Sequence, residues 1–117
     1  MESTIFRPLQ IKNTSFALTP NIMKHSATPH NEDGDEMYMV RFTAQTVAEL
    51  QTTLEDLILF SFANLKENPV LSNKSISVIT TPTALTNNDF ALDYIVMDRF
   101  GFRMTGHVGS DDGCNLV

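Results

Sequence analysis

The densest group of side chains able to do chemistry is Glu32-Asp33-Gly34-Asp35-Glu36, four carboxylates in five residues. Carboxylate oxygens in a loop suit a hard cation. The calcium-binding loop needs further oxygen ligands beyond such a run, whereas here Met37 and Tyr38 follow. The cluster is therefore expected to be a solvated turn. His25 and His30 stand in the same segment and His107 lies far downstream. With Asp35 they have the donor chemistry of a zinc site, but their spacing fixes no tetrahedron. No metal and no cofactor are expected.

Nucleophilic catalysis needs a Ser, Cys or Thr activated by a base, and the G-x-S-x-G turn that exposes such a serine is absent. The single cysteine, Cys114, follows Asp111 and Asp112, whose charge opposes thiolate formation. Cys114-Asn115-Leu116-Val117 has the frame of a prenylation signal. However, Asn115 is not aliphatic, Val117 is an atypical last residue, and the upstream charge is acidic. Glu55 and Asp56 are adjacent, so on a helix they diverge by about 100° and cannot act together. Gly106, Gly109 and Gly113 are too loosely spaced for a phosphate loop. The chain reads as a non-enzyme.

The charge balance narrows the partners. Fourteen acids against eight bases give a net charge of −6 in 117 residues. The bases, Arg7, Lys12, Lys24, Arg41, Lys66, Lys74, Arg99 and Arg103, are scattered. Nucleic-acid binding needs clustered cations to neutralise phosphates, so a basic protein is the more fitting partner. Candidate contact residues are Glu32, Asp33, Asp35 and Glu36 in the acidic run. Arg99 and Phe100, at a hairpin tip, have the chemistry of an anchor. The concrete reading is a small acidic inhibitor that covers a basic nucleic-acid-handling complex by placing carboxylates where phosphates would lie. This is the profile of anti-defence and immunity proteins. A homo-oligomeric assembly subunit is the alternative. A small ligand-binding protein or enzyme, with Arg41, Asp93 and His107 at a pocket between helix and sheet, is the second.

The elements that would position these residues are read from periodicity. One long helix is expected from Thr46 to about Lys66. Thr46 and Glu49 match a capping box, Val47, Leu50, Leu54, Leu57, Ile58 and Leu65 recur at helical spacing, and Asn68-Pro69 supplies a stop. Its second half is apolar nearly all round, so a terminal segment or another subunit should cover part of it. Alternation predicts strands at Ile5–Ile11, Phe16–Leu18, Glu36–Thr43, Ser75–Thr81, Phe90–Met97 and Phe102–Val108. Asp98-Arg99-Phe100-Gly101 reads as a hairpin turn, with Asp93 facing Arg103 across it. The expected fold is thus α+β, a single long helix packed on a mainly antiparallel sheet of four to five strands. It would form one domain over 1–117, with a long irregular loop at about 21–35 and a frayed tail at 110–117. At 42% hydrophobic and 19% charged the composition is that of a globular chain. No apolar run reaches the roughly 18 residues of a membrane span. The start lacks a signal-peptide pattern. The expected location is the cytoplasm.

Overall fold

The computed structural model describes residues 1–39, 49–92, 94–111 and 114–116. At the N-terminus the chain coils rather than extends. Phe6 N–H donates to Met1 O at 3.2 Å, Arg7 N–H to Glu2 O at 2.9 Å, and Ile11 N–H to Phe6 O at 2.9 Å. Glu2–Phe6 is therefore a wide helical turn with i→i+5 bonds. The strand expected at Ile5–Ile11 is not formed. Pro8 lacks the donor a ladder needs, and the wide turn buries both Phe6 and Ile11, which strand alternation would have put on opposite faces. Phe16–Leu18 also forms no strand. Ser15 alone pairs, with Gln51, and its hydroxyl accepts from Ala17 N–H.

A first helix, α1, runs over Pro20–His25. Pro20 opens it and the Thr19 hydroxyl accepts from Ile22 N–H. The central helix, α2, is Leu54–Ala63, ten residues, in place of the long helix expected from Thr46 to about Lys66. Its cap is Thr53, whose hydroxyl accepts from Asp56 N–H. The paired bonds Ser15 N–H to Gln51 O and Gln51 N–H to Ser15 O, both 2.9 Å, hold the preceding residues extended. Thr52 and Thr53, both β-branched, add to that preference. Glu49 is buried ahead of the helix rather than acting in its first turn. Thr46, with the rest of 40–48, lies outside the described residues. The helix also ends early, because the Asn68 side-chain amide donates to Ala63 O at 2.7 Å while its carbonyl accepts from Val70 N–H and Leu71 N–H.

The strand expected at Ser75–Thr81 is a helix, α3, Asn73–Thr80. Its β-branched residues argue for a strand, but the Ser72 hydroxyl accepts from Ser75 N–H and supplies the cap that starts a helix. Ile76 is its buried residue. In the segment expected as the strand Glu36–Thr43, Glu36 bridges His30, 37–39 join no ladder, and 40–43 lie outside the described residues.

The strand expected at Phe90–Met97 starts late. Ala91 N–H donates to Tyr94 O, folding the chain back, and β1 is Ile95–Arg99. It pairs antiparallel with β2, Phe102–Gly106. Phe100 and Gly101 form a two-residue connection with φ of 54° and 79°, which suits the right-handed twist of a tight hairpin. A separate hairpin joins β3, Gly109–Asp111, to β4, Cys114–Leu116. Among the described residues, then, two separate two-stranded sheets and short helices replace the expected four-to-five-stranded sheet carrying one long helix.

Local capping and turn bonds win over long-range strand pairing in this chain, and the core is correspondingly small. Phe6, Ile11, Ala63, Ile76 and Val96 are its buried apolar residues among those described, and no side chain is fully enclosed. The radius of gyration is 16.3 Å, against about 13 Å for a compact chain of this length.

Candidate protein-binding surface

The acidic run is a preorganised turn. Asn31 organises it: its side-chain carbonyl accepts from Asp33 N–H at 3.1 Å and Asp35 N–H at 2.8 Å. Its backbone N–H donates to Asp35 O at 3.0 Å, and Gly34 N–H donates to Asn31 O at 3.1 Å. An Asn side chain bonding two residues ahead is the usual way such a turn is nucleated. Gly34 takes φ of 86°, a left-handed conformation that glycine adopts without steric cost. The base is closed by the His30–Glu36 bridge and by Met37 N–H donating to Pro29 O at 2.8 Å. Glu32, Asp33, Asp35 and Glu36 are all exposed. Among the described residues no Lys or Arg pairs with them. The Asn31 amide reaches Asp35 Oδ2 at 3.3 Å. The turn thus displays four carboxylates on a backbone whose shape is set by hydrogen bonds.

The second candidate group sits at the tip of the β1–β2 hairpin. The Arg99 guanidinium lies 5.3 Å from the centroid of the Phe100 ring, within cation–π range. Phe100 is 85% exposed. Below the tip, Arg103 donates to Asp98 from Nε at 3.1 Å and from Nη2 at 3.0 Å. This bidentate contact holds the Asp98 carboxyl below the usual carboxylate range and raises the Arg103 guanidinium. Arg103 therefore faces Asp98 across the hairpin, whereas Asp93, its expected partner, lies outside the described residues. Among the described residues no hydrogen bond or ion pair links the acidic turn to the hairpin tip.

The histidines are apart. His25 Nδ1 lies 2.8 Å from Asn21 O within α1, and His107 Nδ1 lies 2.6 Å from Val108 O. Among the described residues no three His, Cys, Asp or Glu side chains converge as metal ligands would. An open cleft of about 360 Å³ lies at the N-terminal turn, between Phe6, Arg7, Ile11 and Lys12. No helix among the described residues is long and apolar enough to cross a membrane.

Sequence reasoning considered Asp56 only beside Glu55 and missed its structural role. This carboxylate is 3% exposed and gathers the N-terminal segment onto α2. It accepts from Lys12 N–H at 3.3 Å, Asn13 N–H at 2.6 Å and the Thr14 hydroxyl at 2.8 Å. The available signal was T-x-x-D at Thr53–Asp56, a helix start with an acid in its first turn.

Comparison with protein-family models, with curated proteins and with solved structures finds no match to this chain.

Proposed function

We propose that the chain is a non-enzymatic protein-binding module. Its most concrete form is a small acidic inhibitor, of anti-defence or immunity type, acting in the cytoplasm on a basic, nucleic-acid-handling protein complex. The observation that carries this reading is the ordered turn 31–36, which presents Glu32, Asp33, Asp35 and Glu36 to solvent without cationic partners among the described residues. A nucleic-acid-binding groove is built to neutralise closely spaced phosphates. A fixed array of carboxylates can compete for the same cations, and fixing it before binding lowers the entropic cost of doing so. Arg99 and Phe100 supply a second, apolar and cationic contact of the type enriched at binding hot spots.

The test compares the wild-type chain with the neutralised variant E32Q/D33N/D35N/E36Q as baits in host lysate. The expected outcome is recovery of basic proteins by the wild type alone, with release at raised salt and displacement by added nucleic acid. Equal recovery by both baits would remove the turn from the mechanism.

A further inference from the structure

We infer that the cleft at the N-terminal turn is a binding site for a small organic anion, a carboxylate or phosphate group on an apolar body. Arg7 and Lys12 hold the anionic head, and Phe6 and Ile11 form the floor beneath the body.

The cleft is built by the local bonding of the turn. Gln10 N–H donates to Arg7 O at 3.1 Å and Ile11 N–H donates to Phe6 O at 2.9 Å, with Gln10 in the left-handed region at φ of 61°. These are the two bonds that close many helices, and glycine is the usual residue at the left-handed position. The two positions that commonly make an apolar contact across such a stop are here Phe6 and Ile11, 6% and 7% exposed. Both line the cleft, whose volume is about 360 Å³, within the range of about 300–1,000 Å³ typical of small-molecule sites. Its floor is thus apolar and fixed by backbone hydrogen bonds. Gln10 also lines the cleft, and its side-chain amide is a further donor.

Charge selects the ligand. Residues 1–31 hold one acid, Glu2, against Arg7, Lys12 and Lys24, in a chain whose net charge is −6. Arg7 and Lys12 line the cleft and are exposed. Among the described residues neither cationic head has a hydrogen bond or an ion pair, although two carboxylates belong to the same region. The oxygens of Asp56 are taken up by Lys12 N–H, Asn13 N–H and the Thr14 hydroxyl. Glu2 lines the cleft but pairs with neither base. Both cations are therefore available to one oxyanion, which the guanidinium grips through two N–H groups while the ammonium adds a point charge. An inorganic ion would leave the apolar floor wet, and a neutral apolar molecule would leave the cations unmatched, so the fitting ligand has both parts. The acidic turn takes no part, so this site and the proposed inhibitory role fail independently.

The test titrates the full chain with phenyl phosphate and with benzoate, following the amide shifts of residues 6–14 by NMR. Inorganic phosphate and benzyl alcohol serve as the two half-ligands. The expected result is saturable shifts centred on these residues for at least one aromatic anion, with a Kd of about 1 mM or tighter. Both half-ligands should bind at least about tenfold more weakly. The tighter of the two aromatic anions identifies the head group. R7Q/K12Q should weaken binding by about tenfold or more, with circular dichroism unchanged, because neither side chain bonds within the fold. E2Q should tighten binding about twofold by removing a like charge from the cleft. Absence of shifts with both aromatic anions at about 10 mM, well above the expected Kd, would overturn the inference. So would inorganic phosphate binding as tightly as phenyl phosphate, undiminished binding by R7Q/K12Q, or weaker binding by E2Q.

Discussion

Replacing Asp56 by alanine tests whether the chain is held together by its polar contacts. The carboxylate binds three donors of the segment Lys12–Thr14 and lies in the first turn of α2. Hydrogen bonds to a charged group contribute about 1.5–3 kcal/mol each when one partner is deleted. The 3.3 Å bond to Lys12 N–H is weak, and Lys12 and Asn13 are exposed, so water can recover part of the loss. The 2.6 Å bond to Asn13 N–H and the 2.8 Å bond to Thr14 carry most of the effect. Losing the acid from the helix N-terminus adds about 0.5 kcal/mol. The sum for Asp56→Ala is about 3 kcal/mol, a large share of a stability typically of about 5–15 kcal/mol. With a urea slope of about 1.5 kcal/mol per molar, the midpoint should fall by about 2 M at fixed protein concentration. Asp56→Asn keeps one acceptor and should lose about half as much. Thr14→Ala combined with Asp56→Ala should be less than additive by about 1 kcal/mol, since the two share a bond. Loss of under 0.5 kcal/mol in Asp56→Ala, with the slope unchanged, would refute this role for the carboxylate.

Four further outcomes are expected. Thr53→Ala removes the N-cap of α2 and should cost about 1 kcal/mol by urea unfolding, with a matching fall in helical circular dichroism. Phe100→Asn should stabilise the hairpin by about 0.5–1 kcal/mol, because φ of 54° strains a bulky residue far more than Asn. The same change should weaken partner capture in the bait experiment. Gly101→Val, at φ of 79° and with open space around its Cα, should destabilise by about 1–2 kcal/mol through backbone strain alone. Finally, Arg103 lowers the Asp98 carboxyl, so the pair's contribution is fully present above the unfolded value of about 3.9. It is lost as the pH falls through the lower folded value. Amide shifts of the β1–β2 hairpin should therefore titrate below that of a free aspartate in the wild type and be flat in that range in Asp98→Asn.

What the sequence made legible was the chemistry of single residues and the most local of turns. The acidic run, the scattered bases and the tight connection at Phe100-Gly101 follow from residue type alone. The larger elements did not follow, for identifiable reasons. At Ile5–Ile11 and Ser75–Thr81, alternation over seven residues also fits a short helix, and the bonds to Met1 O and from Ser75 N–H to the Ser72 hydroxyl decide for coiling. The capping-box pattern at Thr46–Glu49 lies partly outside the described residues, but residues 51–53 are not helical and Leu54–Ala63 has its own cap at Thr53, with Asp56 placed to receive Asn13 N–H and the Thr14 hydroxyl.

The same competition explains the exposed ridge on α2. The rotation of a helix about its axis is set by whichever face gains most when buried. Burying Asp56 satisfies three donors at once, each worth as much as a small apolar side chain, and it does so with chain neighbours near enough to close a turn. Having turned that face inward, the helix must turn Leu54, Ile58 and Phe62 outward, since they lie on its other side. If the polar contacts of Asp56 set this rotation, Phe62→Glu, at an exposed site, should change stability by less than about 0.5 kcal/mol by urea unfolding and leave the Asp56 contacts intact. A loss of more than about 1.5 kcal/mol would mean that the apolar ridge, not Asp56, holds α2 in place.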